Sequence, residues 1–528
     1  MIQLIALLVW ASVTVALFAY DPEAKRSVSM AVWIPMSWIF IASSRNVSAW
    51  LRMSSSGGSD PYLEGSPFDR AVLTAILLLG VLVLVLGNRR IAPYLQSNVP
   101  LLMYFSYCLV SIIWSDYQDV ALKRWFRAVG DIVMVLIVLS ERDSLAAFRR
   151  LLTRLGYLLI PLSIIFIRYF PELGRSYSEG GKPAWTGVAT DKNALGMLSM
   201  IFGLAAVFRV MQILRGEESS GKGRALRCQG VIVLMSLYLL REANSATALS
   251  CFGLAGSLMV LTYLFRFARK PLVLHLLVLV AILVPLCVMF LGIGSGLVGD
   301  LGRDSTFTGR TAIWSSALPL VPNSIVGAGY ESFWLGPRLQ RVEVLIGQSI
   351  NEAHNGYIEI YLNLGWVGLV FLAILLIAGY CRIIPAVRSR TPAGSLQLAY
   401  FVAAIIYNFS EAGFKMMHPM WIFLLFSIVA LPNSLANSSK ISTRASGKSC
   451  DERPKLPVAV RMLPKGRKRH DDVEAVCSGD FKAHGRLDKH GRAIQHSTTN
   501  IVGWRFAHRR TAVRCLYLRS VDFPCARA

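Results

Sequence analysis

Charged side chains are scarce in this chain of 528 residues. Asp, Glu, Lys and Arg together make up 16% of the sequence, whereas hydrophobic residues make up 54%. The mean hydropathy of +0.50 exceeds that of most soluble globular proteins. This composition argues against a soluble globular protein and favours one that lies largely in a membrane.

Other signatures are missing as well. The nine cysteines include no Cys-x-x-Cys pair, so neither a zinc site nor a disulfide framework is expected. The sequence has no internal repeat and no heptad stretch. No pair of carboxylates of the glycosidase kind is evident. These absences set aside zinc proteins, disulfide-rich domains and repeat architectures.

What the sequence does contain is a series of long apolar runs. A run of about 17–25 apolar residues can cross a bilayer as a helix. We predict an all-α, polytopic integral membrane protein with twelve or thirteen transmembrane helices. The first run lacks a basic start and a small-residue cleavage site, so we interpret it as a retained helix. The candidate runs are 2–20, 29–49, 71–87, 98–114, 128–140, 151–167, 193–213, 229–240, 244–265, 271–293, 356–379, 395–410 and 418–432.

The composition changes near residue 432, which divides the chain into a polytopic membrane domain, 1–432, and a tail, 433–528. The net formal charge is +24, and the tail contributes 20 Lys and Arg against 8 Asp and Glu. Because the tail also lacks long apolar runs, we expect it to be largely disordered. Its charge suits anionic lipid head groups. No stacking platform or known motif accompanies that charge, so nucleic acid is not an expected partner.

The basic residues also predict the orientation. Lys and Arg in short loops concentrate on the cytoplasmic side of a membrane. The basic loops of this chain alternate correctly if the large loop 294–355 faces outward and the tail is cytoplasmic. Lys123, Arg124 and Arg127 fall on the outer side in this scheme, against the trend. The segment that contains them is therefore a candidate interfacial helix.

Arg310 is the first candidate site residue, and it lies in the large outer loop. The segment 308–318 has the pattern of a short amphipathic helix, with Thr308 as a possible cap. A guanidinium group can hold a phosphate through two parallel hydrogen bonds. The alternative is a structural ion pair, for example with Asp300 or Asp304.

His354 is the second candidate, placed just before the run 356–379. The positive end of a helix disfavours an imidazolium, so we expect His354 to stay neutral there. A neutral imidazole can act as a general base toward a sugar hydroxyl. The alternative is a capping or packing role.

Three further positions collect polar residues at the predicted outer ends of helices. Lys192 and Asn193 begin a membrane helix, whose free N–H groups would suit a phosphate. Asp116 and Glu411 are ionisable groups near membrane depth, which makes them functional candidates. Solvated helix ends or a lysine reaching toward head groups would explain them without any function.

In order and spacing, these residues resemble the O-antigen ligase and polysaccharide polymerase (Wzy-like) superfamily, particularly its ExoQ-like exopolysaccharide polymerase branch. The resemblance covers roughly 60–432. The matching segments are Leu63 to Arg70, Trp114-Ser115-Asp116, Gly187 to Gly196 with Lys192-Asn193, Gly309-Arg310 with Trp314, Gly327 to Trp334, His354-Asn355-Gly356-Tyr357, Gly365 to Gly368 and Asn408 to Glu411.

The resemblance implies an integral-membrane glycosyltransferase of the bacterial inner membrane that needs no metal, cofactor or nucleotide sugar. It implies that an undecaprenyl-diphosphate-linked glycan is the substrate, to be polymerised or ligated at the outer face. Arg310 would then bind the diphosphate and His354 would activate the acceptor hydroxyl as the catalytic pair. Substrate-binding residues would be Lys192, Asn193, Asp116, Asn355 and Glu411. Expected partners are membrane lipids, a flippase and chain-length regulators.

Three alternatives stay open on the sequence alone. A transporter or flippase of lipid-linked glycans would show charges deep within its spans and inverted repeats. A peptidoglycan polymerase of the SEDS type would depend on an acidic residue in an outer loop. An assembly subunit without catalysis would tolerate the loss of both Arg310 and His354. The sequence does not separate polymerase from ligase, because the two differ in the acceptor.

Overall fold

The computed structural model describes residues 1–25, 29–53, 66–87, 91–177, 183–217, 221–291 and 308–429. These residues all belong to the first of two compact units, Met1–Lys448. The predicted tail, 433–528, and the two aspartates considered as partners of Arg310, Asp300 and Asp304, lie outside the described residues.

The described residues are overwhelmingly helical, which confirms the predicted all-α polytopic class. Seven of their helices are long and apolar enough to span a bilayer, and five shorter ones are also apolar. The α-helices are α1 Ile2–Tyr20, α2 Pro22–Lys25, α3 Trp33–Ala42, α4 Val47–Trp50, α5 Pro67–Leu86, α6 Ala92–Ser97, α7 Val99–Val110, α8 Gln118–Leu139, α9 Ser144–Tyr169, α10 Pro171–Gly174, α11 Lys192–Leu214, α12 Lys222–Ala243, α13 Ala246–Leu264, α14 Pro271–Leu291, α15 Thr308–Ala317, α16 Gly336–Ile346, α17 Gly356–Arg388, α18 Gly394–Tyr407 and α19 Pro419–Ile428.

One small sheet interrupts the helical pattern. Strands β1 Arg175–Tyr177 and β2 Pro183–Trp185 pair antiparallel between α10 and α11, with Arg175 opposite Trp185. The Arg175 guanidinium also lies 4.6 Å from the centroid of the Trp185 ring. The hairpin lies between the predicted spans 151–167 and 193–213, where no strand was predicted.

Two predicted spans differ from the observed helices. Pro35 lies within the second predicted span, 29–49, but it does not break the helix there, because it falls in the first turn of α3, where a missing N–H costs nothing. The break comes later, between α3 and α4. The run 128–140 is the second half of α8, which begins at Gln118. The basic segment expected to be an interfacial helix is the first half of the same helix.

The core of the bundle lies around α11, α18 and α19. These helices bury side chains on nearly every face, including Leu204, Val402 and Phe423. A helix that is apolar all round belongs in the interior of a bundle or in lipid. By contrast, α1 and α5 expose most of their apolar side chains. Such exposed apolar surface is what a bilayer covers.

A kink in α17 positions the outer loop. Gly365 adopts φ 63° and ψ −163° inside this 33-residue helix. A Cβ at Gly365 would lie 2.3 Å from the carbonyl carbon of Ile325, so only glycine fits. The opened backbone accepts the loop, because the Trp366 N–H donates to Ser324 O at 3.0 Å and the Ala328 N–H donates to Leu362 O at 3.0 Å. The glycines of 327–329 and 365–368 therefore join the loop to the helix.

The predicted orientation can be tested at Val344, which is 82% exposed on α16. We expect a cysteine introduced at Val344 to react with a membrane-impermeant thiol reagent in intact cells, because loop 294–355 should face outward. The wild-type chain gives the background from its native cysteines. A cysteine at Gly223 is the matched control and should react only after lysis. If only the Gly223 variant is labelled in intact cells, the orientation is the opposite of the predicted one.

Candidate active site

Helix α15 carries Arg310 against the turn that precedes α17. The Trp314 indole N–H donates to the carbonyl oxygen of Ala353 at 2.8 Å. On the inner face of α15, Ile313 and Ala317 pack with Phe333 and other buried residues of the loop into a small separate core. Two segments 44 residues apart in the sequence are thereby brought together, as the sequence predicted for Arg310 and His354.

His354 lies in a strained turn whose neighbours hold it in place. Its φ of 49° is in the left-handed region, which costs a residue with a side chain about 1–2 kcal/mol. Asn355 follows as the N-cap of α17, and its side-chain oxygen accepts hydrogen bonds from Tyr357 N and Ile358 N, both at 3.0 Å. Its amide nitrogen donates to Phe409 O at 2.9 Å. Both ends of the amide are thus engaged by the protein, which gives Asn355 a structural role, and its contact with substrate stays a prediction.

Gly356 joins this turn to the loop after α18. Its N–H donates to Asn408 O at 2.8 Å and to Glu411 O at 3.1 Å. A Cβ at this position would lie 1.9 Å from the Asn408 side-chain oxygen. A glycine is therefore required where the two backbones meet, and the contact places Glu411 beside His354.

Five ionisable side chains form a continuous row of alternating charge, which we call the charge cluster. Its members, in spatial order, are Lys415, Glu352, His354, Glu411 and Arg310. His354 Nδ1 lies 2.9 Å from Glu352 Oε1 and 3.6 Å from Glu411 Oε2. Arg310 Nη2 donates to Glu411 Oε1 at 2.7 Å, and Lys415 Nζ pairs with Glu352 Oε2. The Glu411 side chain is 6% exposed, so the pairs around it are shielded from water.

The charge cluster reverses the predicted protonation of His354. Burial lowers the pKa of the imidazole, but the Glu352 and Glu411 carboxylates outweigh burial and raise this pKa from 6.5 to about 9. The positive helix end that was expected to keep the ring neutral is already capped by Asn355. Before substrate binds, His354 is therefore an imidazolium at neutral pH. With His354 protonated, three cations face two anions.

The neighbouring ion pair, Lys415–Glu352, reinforces the protonated state of His354. Burial raises the pKa of the Glu352 carboxyl, but Lys415 and His354 outweigh burial and hold this pKa well below its usual range. Burial lowers the pKa of the Lys415 amine, and Glu352 more than compensates for it. Both groups are thus charged at any physiological pH, so His354 is the member of this half of the cluster that can change its charge.

The raised pKa of His354 predicts a pH-dependent stability. The folded pKa is about 9 and the ordinary value is 6.5. The imidazolium therefore stabilises the fold fully below about pH 6.5, and this contribution is lost as the pH rises toward 9. The thermal unfolding temperature of the purified wild type should exceed that of His354→Gln, and the difference between the two temperatures should narrow as the pH rises from 6.5 to 9. A temperature difference that stays constant or widens over this pH range would contradict the positive charge assigned to His354.

Asp131 anchors the loop that carries Lys415. Its side chain is fully buried in α8, where it accepts hydrogen bonds from the Trp38 indole at 2.8 Å and from the Met417 N–H at 2.9 Å. A buried carboxylate with two donors satisfies its hydrogen-bonding need and fixes both partners. Asp131 thus connects the membrane helices to the charge cluster, a role that the sequence did not indicate.

Lys192 and Asn193 lie at the start of α11, beside the charge cluster but outside it. The Asp191 carboxylate caps this helix by accepting hydrogen bonds from Asn193 N and Ala194 N, both at 2.9 Å. Two of the N–H groups expected to bind phosphate are therefore already used. The Lys192 side chain is exposed.

Two contacts place the start of α11 near the cluster. A Cβ added at Gly196 would lie 2.8 Å from the Ala248 Cβ, so α11 and α13 touch closely near their first turns. At the start of α13, the Thr247 hydroxyl lies 2.6 Å from the Ser410 hydroxyl, next to Glu411. Lys192 is thus two helix contacts away from the charge cluster.

Asp116 belongs to a different ion pair. Arg338 Nη1 donates to Asp116 Oδ2 at 2.7 Å, and the Asp116 side chain is 63% exposed. Arg338 also lies near the backbone oxygens of Ser332 and Phe333. Asp116 and Glu411 therefore have separate partners, and the structure gives Asp116 a role in holding α16 rather than in the charge cluster.

A metal ion is a poor fit to the charge cluster. Glu352, His354 and Glu411 place ligand atoms within 4.8 Å of one another. However, Lys415 and Arg310 already neutralise the two carboxylates. A divalent cation would have to sit beside both of them, at a cost that grows in a buried site. The donor set fits a proton and an anion better than a metal.

Sequence reasoning missed two members of the charge cluster, Glu352 and Lys415. Glu352 lies two residues before His354 and Lys415 four residues after Glu411. Their proximity to predicted site residues was the available signal. Nothing in the sequence pattern shows that the loops 350–355 and 408–418 face each other.

Comparisons with known proteins agree with this geometry. An O-antigen ligase domain matches residues 230–373, which include Arg310 and His354. This part of the chain is thus similar to O-antigen ligases. It is also 24% identical over 355 residues to the exopolysaccharide production protein ExoQ of Rhizobium meliloti (strain 1021), covering 64% of this chain and 78% of that protein. Both similarities favour a role in polysaccharide polymerisation or ligation.

Proposed function

We propose that this protein transfers a glycan from an undecaprenyl-diphosphate carrier to the hydroxyl group of an acceptor glycan at the outer face of the bacterial inner membrane. The observation that carries the proposal is the charge cluster, in which Arg310 and His354 share one buried carboxylate, Glu411. The superfamily supports a lipid-linked glycan as the substrate.

The reaction needs a place for negative charge. The acceptor oxygen forms a bond to the anomeric carbon while the bond from that carbon to the phosphate oxygen breaks, and the diphosphate carries away the electron pair. The Arg310 side chain is 25% exposed, so a diphosphate can reach it. Stabilisation of the departing charge by a fixed cation is a large catalytic effect in a site that excludes water.

The reaction also needs a base for the acceptor proton. Both carboxylates contact His354 at Nδ1, so the neutral ring keeps its proton there. Among the described contacts, Nε2 is then left to accept the hydroxyl proton. The carboxylates make the imidazole a stronger base and stabilise the imidazolium that forms, while leaving only a small neutral fraction at pH 7. We infer that transfer proceeds from this neutral fraction and is faster at higher pH.

The acceptor decides between polymerase and ligase. We favour polymerisation of repeats into an exopolysaccharide, because the similar ExoQ protein is named for exopolysaccharide production. The charge cluster would act in the same way in either case. A flippase that delivers lipid-linked repeats and a protein that regulates chain length are the partners such a polymerase needs.

Arg310→Lys tests the role of the planar guanidinium. The variant keeps the charge but loses the two parallel donors, so we expect polymer to fall strongly while lipid-linked single repeats accumulate in cells. The matched control is Arg338→Lys, which alters another arginine paired with a carboxylate at 2.7 Å in the same loop. The control should keep near-normal polymer.

The results for Arg310→Lys and Arg338→Lys also distinguish glycan transfer from a folding defect and from flippase activity. Loss of polymer in both, at normal membrane levels, would mean that any ion pair of the loop is needed for folding. Normal polymer from Arg310→Lys would contradict diphosphate binding by Arg310. A flippase would instead leave lipid-linked repeats unflipped on the cytoplasmic side, which accessibility of the glycan to an external glycosidase would reveal.

A further inference from the structure

A second polar site lies at the opposite end of α17 from His354. Beyond the kink at Gly365, the 23 residues 366–388 of α17 extend about 35 Å at 1.5 Å per residue, which exceeds the hydrocarbon thickness of about 30 Å. The two sites are therefore on opposite sides of the bilayer. The second site is a cleft of about 740 Å³ between the segment before α14 and the segment after α17. Its lining residues are Arg266, Arg269, Lys270, Pro271, Pro385, Arg388, Ser389 and Arg390.

The cleft is strongly cationic. Five of its lining side chains carry positive charge, and none of the described residues that line it is acidic. Basic loops are common on the cytoplasmic side of membrane proteins, but that rule asks only for scattered charges. Here, cations from two segments more than 110 residues apart converge on one concave surface. Mutual repulsion of so many cations disfavours such convergence unless an anion compensates.

Arg269 provides an independent sign of a missing partner. Only 8% of Arg269 is exposed, and its Nη2 is buried without a hydrogen-bond partner among the described residues. Its Nε donates to Phe265 O at 3.4 Å, a long contact. A buried guanidinium nitrogen without an acceptor is costly. An anion in the cleft would satisfy it.

We propose that this cleft binds the phosphate of an anionic phospholipid head group of the inner leaflet. The surface next to the cleft favours a lipid over free phosphate. Leu272 is 85% exposed immediately after Pro271, and Leu276 is 59% exposed one turn further along α14. The cationic cleft thus continues into an exposed apolar helix face, which matches a charged head group followed by acyl chains. This site is independent of the glycan transfer proposed above.

Native mass spectrometry of the detergent-purified full-length chain tests the proposal. Phosphatidylglycerol and phosphatidylcholine are the lipid probes, and inorganic phosphate is the probe for the free anion. The variants are Arg269→Gln and Arg388→Gln. Arg227→Gln is the matched control, since Arg227 is an exposed arginine on α12 away from the cleft.

Wild type and Arg227→Gln should retain one phosphatidylglycerol that phosphatidylcholine does not replace. Arg269→Gln and Arg388→Gln should each bind it at least about tenfold more weakly, because each removes a hydrogen bond to a charged group. Arg388 lies at the end of its helix, so its variant remains informative if Arg269→Gln does not fold.

Equal retention of phosphatidylglycerol by wild type and Arg388→Gln would overturn the proposal. So would retention of phosphatidylcholine at the same level. If millimolar inorganic phosphate displaces the lipid and protects the wild type against thermal unfolding as well as phosphatidylglycerol does, the site is one for free phosphate and the lipid assignment is wrong.

Discussion

His354→Ala should lower the rate of glycan transfer by about 10²–10⁴-fold, which is the usual contribution of a general base. The variant removes the ring whose Nδ1 is held by Glu352 and Glu411. Membrane levels should stay normal, because His354 lies in a turn outside the packed helices. Polymer made by a strain that carries only the variant gives the measurement.

His275→Ala is the matched control for this experiment. His275 Nδ1 lies 2.7 Å from the Tyr380 hydroxyl, between helices α14 and α17 and away from the charge cluster. It should leave polymer nearly unchanged. The combination of His354→Ala with Arg310→Lys should be little worse than the more severe single variant, since both residues serve one chemical step. Near-normal polymer from His354→Ala would remove the catalytic assignment.

Glu411→Gln should also cause a large loss, of about 10²-fold in transfer. Glu411 contacts Arg310 and His354 at once, so its charge sets the position of one and the basicity of the other. The amide keeps the size of the side chain but removes the anionic contact of Glu411 with Arg310. Because Glu411 is one of the two groups that raise the pKa of His354, the pH profile of the remaining activity should move to lower pH.

The shift of the pH profile distinguishes this account from simple damage to the fold. Asp116→Asn is the matched control, since it removes the carboxylate partner of another outer-loop arginine. It should change neither polymer nor the pH profile. A Glu411→Gln enzyme with reduced activity and an unmoved pH profile would show that Glu411 does not act through His354.

Much of the fold follows from the sequence because the bilayer imposes a simple rule. Apolar runs of sufficient length become helices, and each predicted span has a helix in the structure. Two features that were not predicted lie in segments without a long apolar run. The basic residues of α8 concealed the first half of that helix, and the hairpin at Arg175 has no apolar signal. Where a helix breaks depends on contacts with distant backbone, as at Gly365, which local propensity does not encode.

The site was predictable in part for a similar reason. Arg310, His354 and Glu411 stand out because charged residues are rare near apolar runs, and the structure brings the three together. The predicted protonation state of His354 was wrong. The ring was expected to be neutral, but its raised pKa makes it an imidazolium at neutral pH. Local sequence showed a helix start, whereas the carboxylates that raise this pKa are Glu352, two residues before His354, and Glu411, which comes from a loop 57 residues later. Electrostatic neighbours across loops decide a pKa, and only the folded chain reveals them.

The most direct test of the central claim is an elongation assay with purified protein. The undecaprenyl-diphosphate-linked repeat is the sole substrate, with EDTA present and no nucleotide sugar, and released undecaprenyl diphosphate is counted against glycosidic bonds formed. The account predicts one carrier released for each bond, at a rate that rises from pH 7 toward about 9, where His354 loses its proton. Chain growth that requires a nucleotide sugar, or a rate that falls over this pH range, would contradict it.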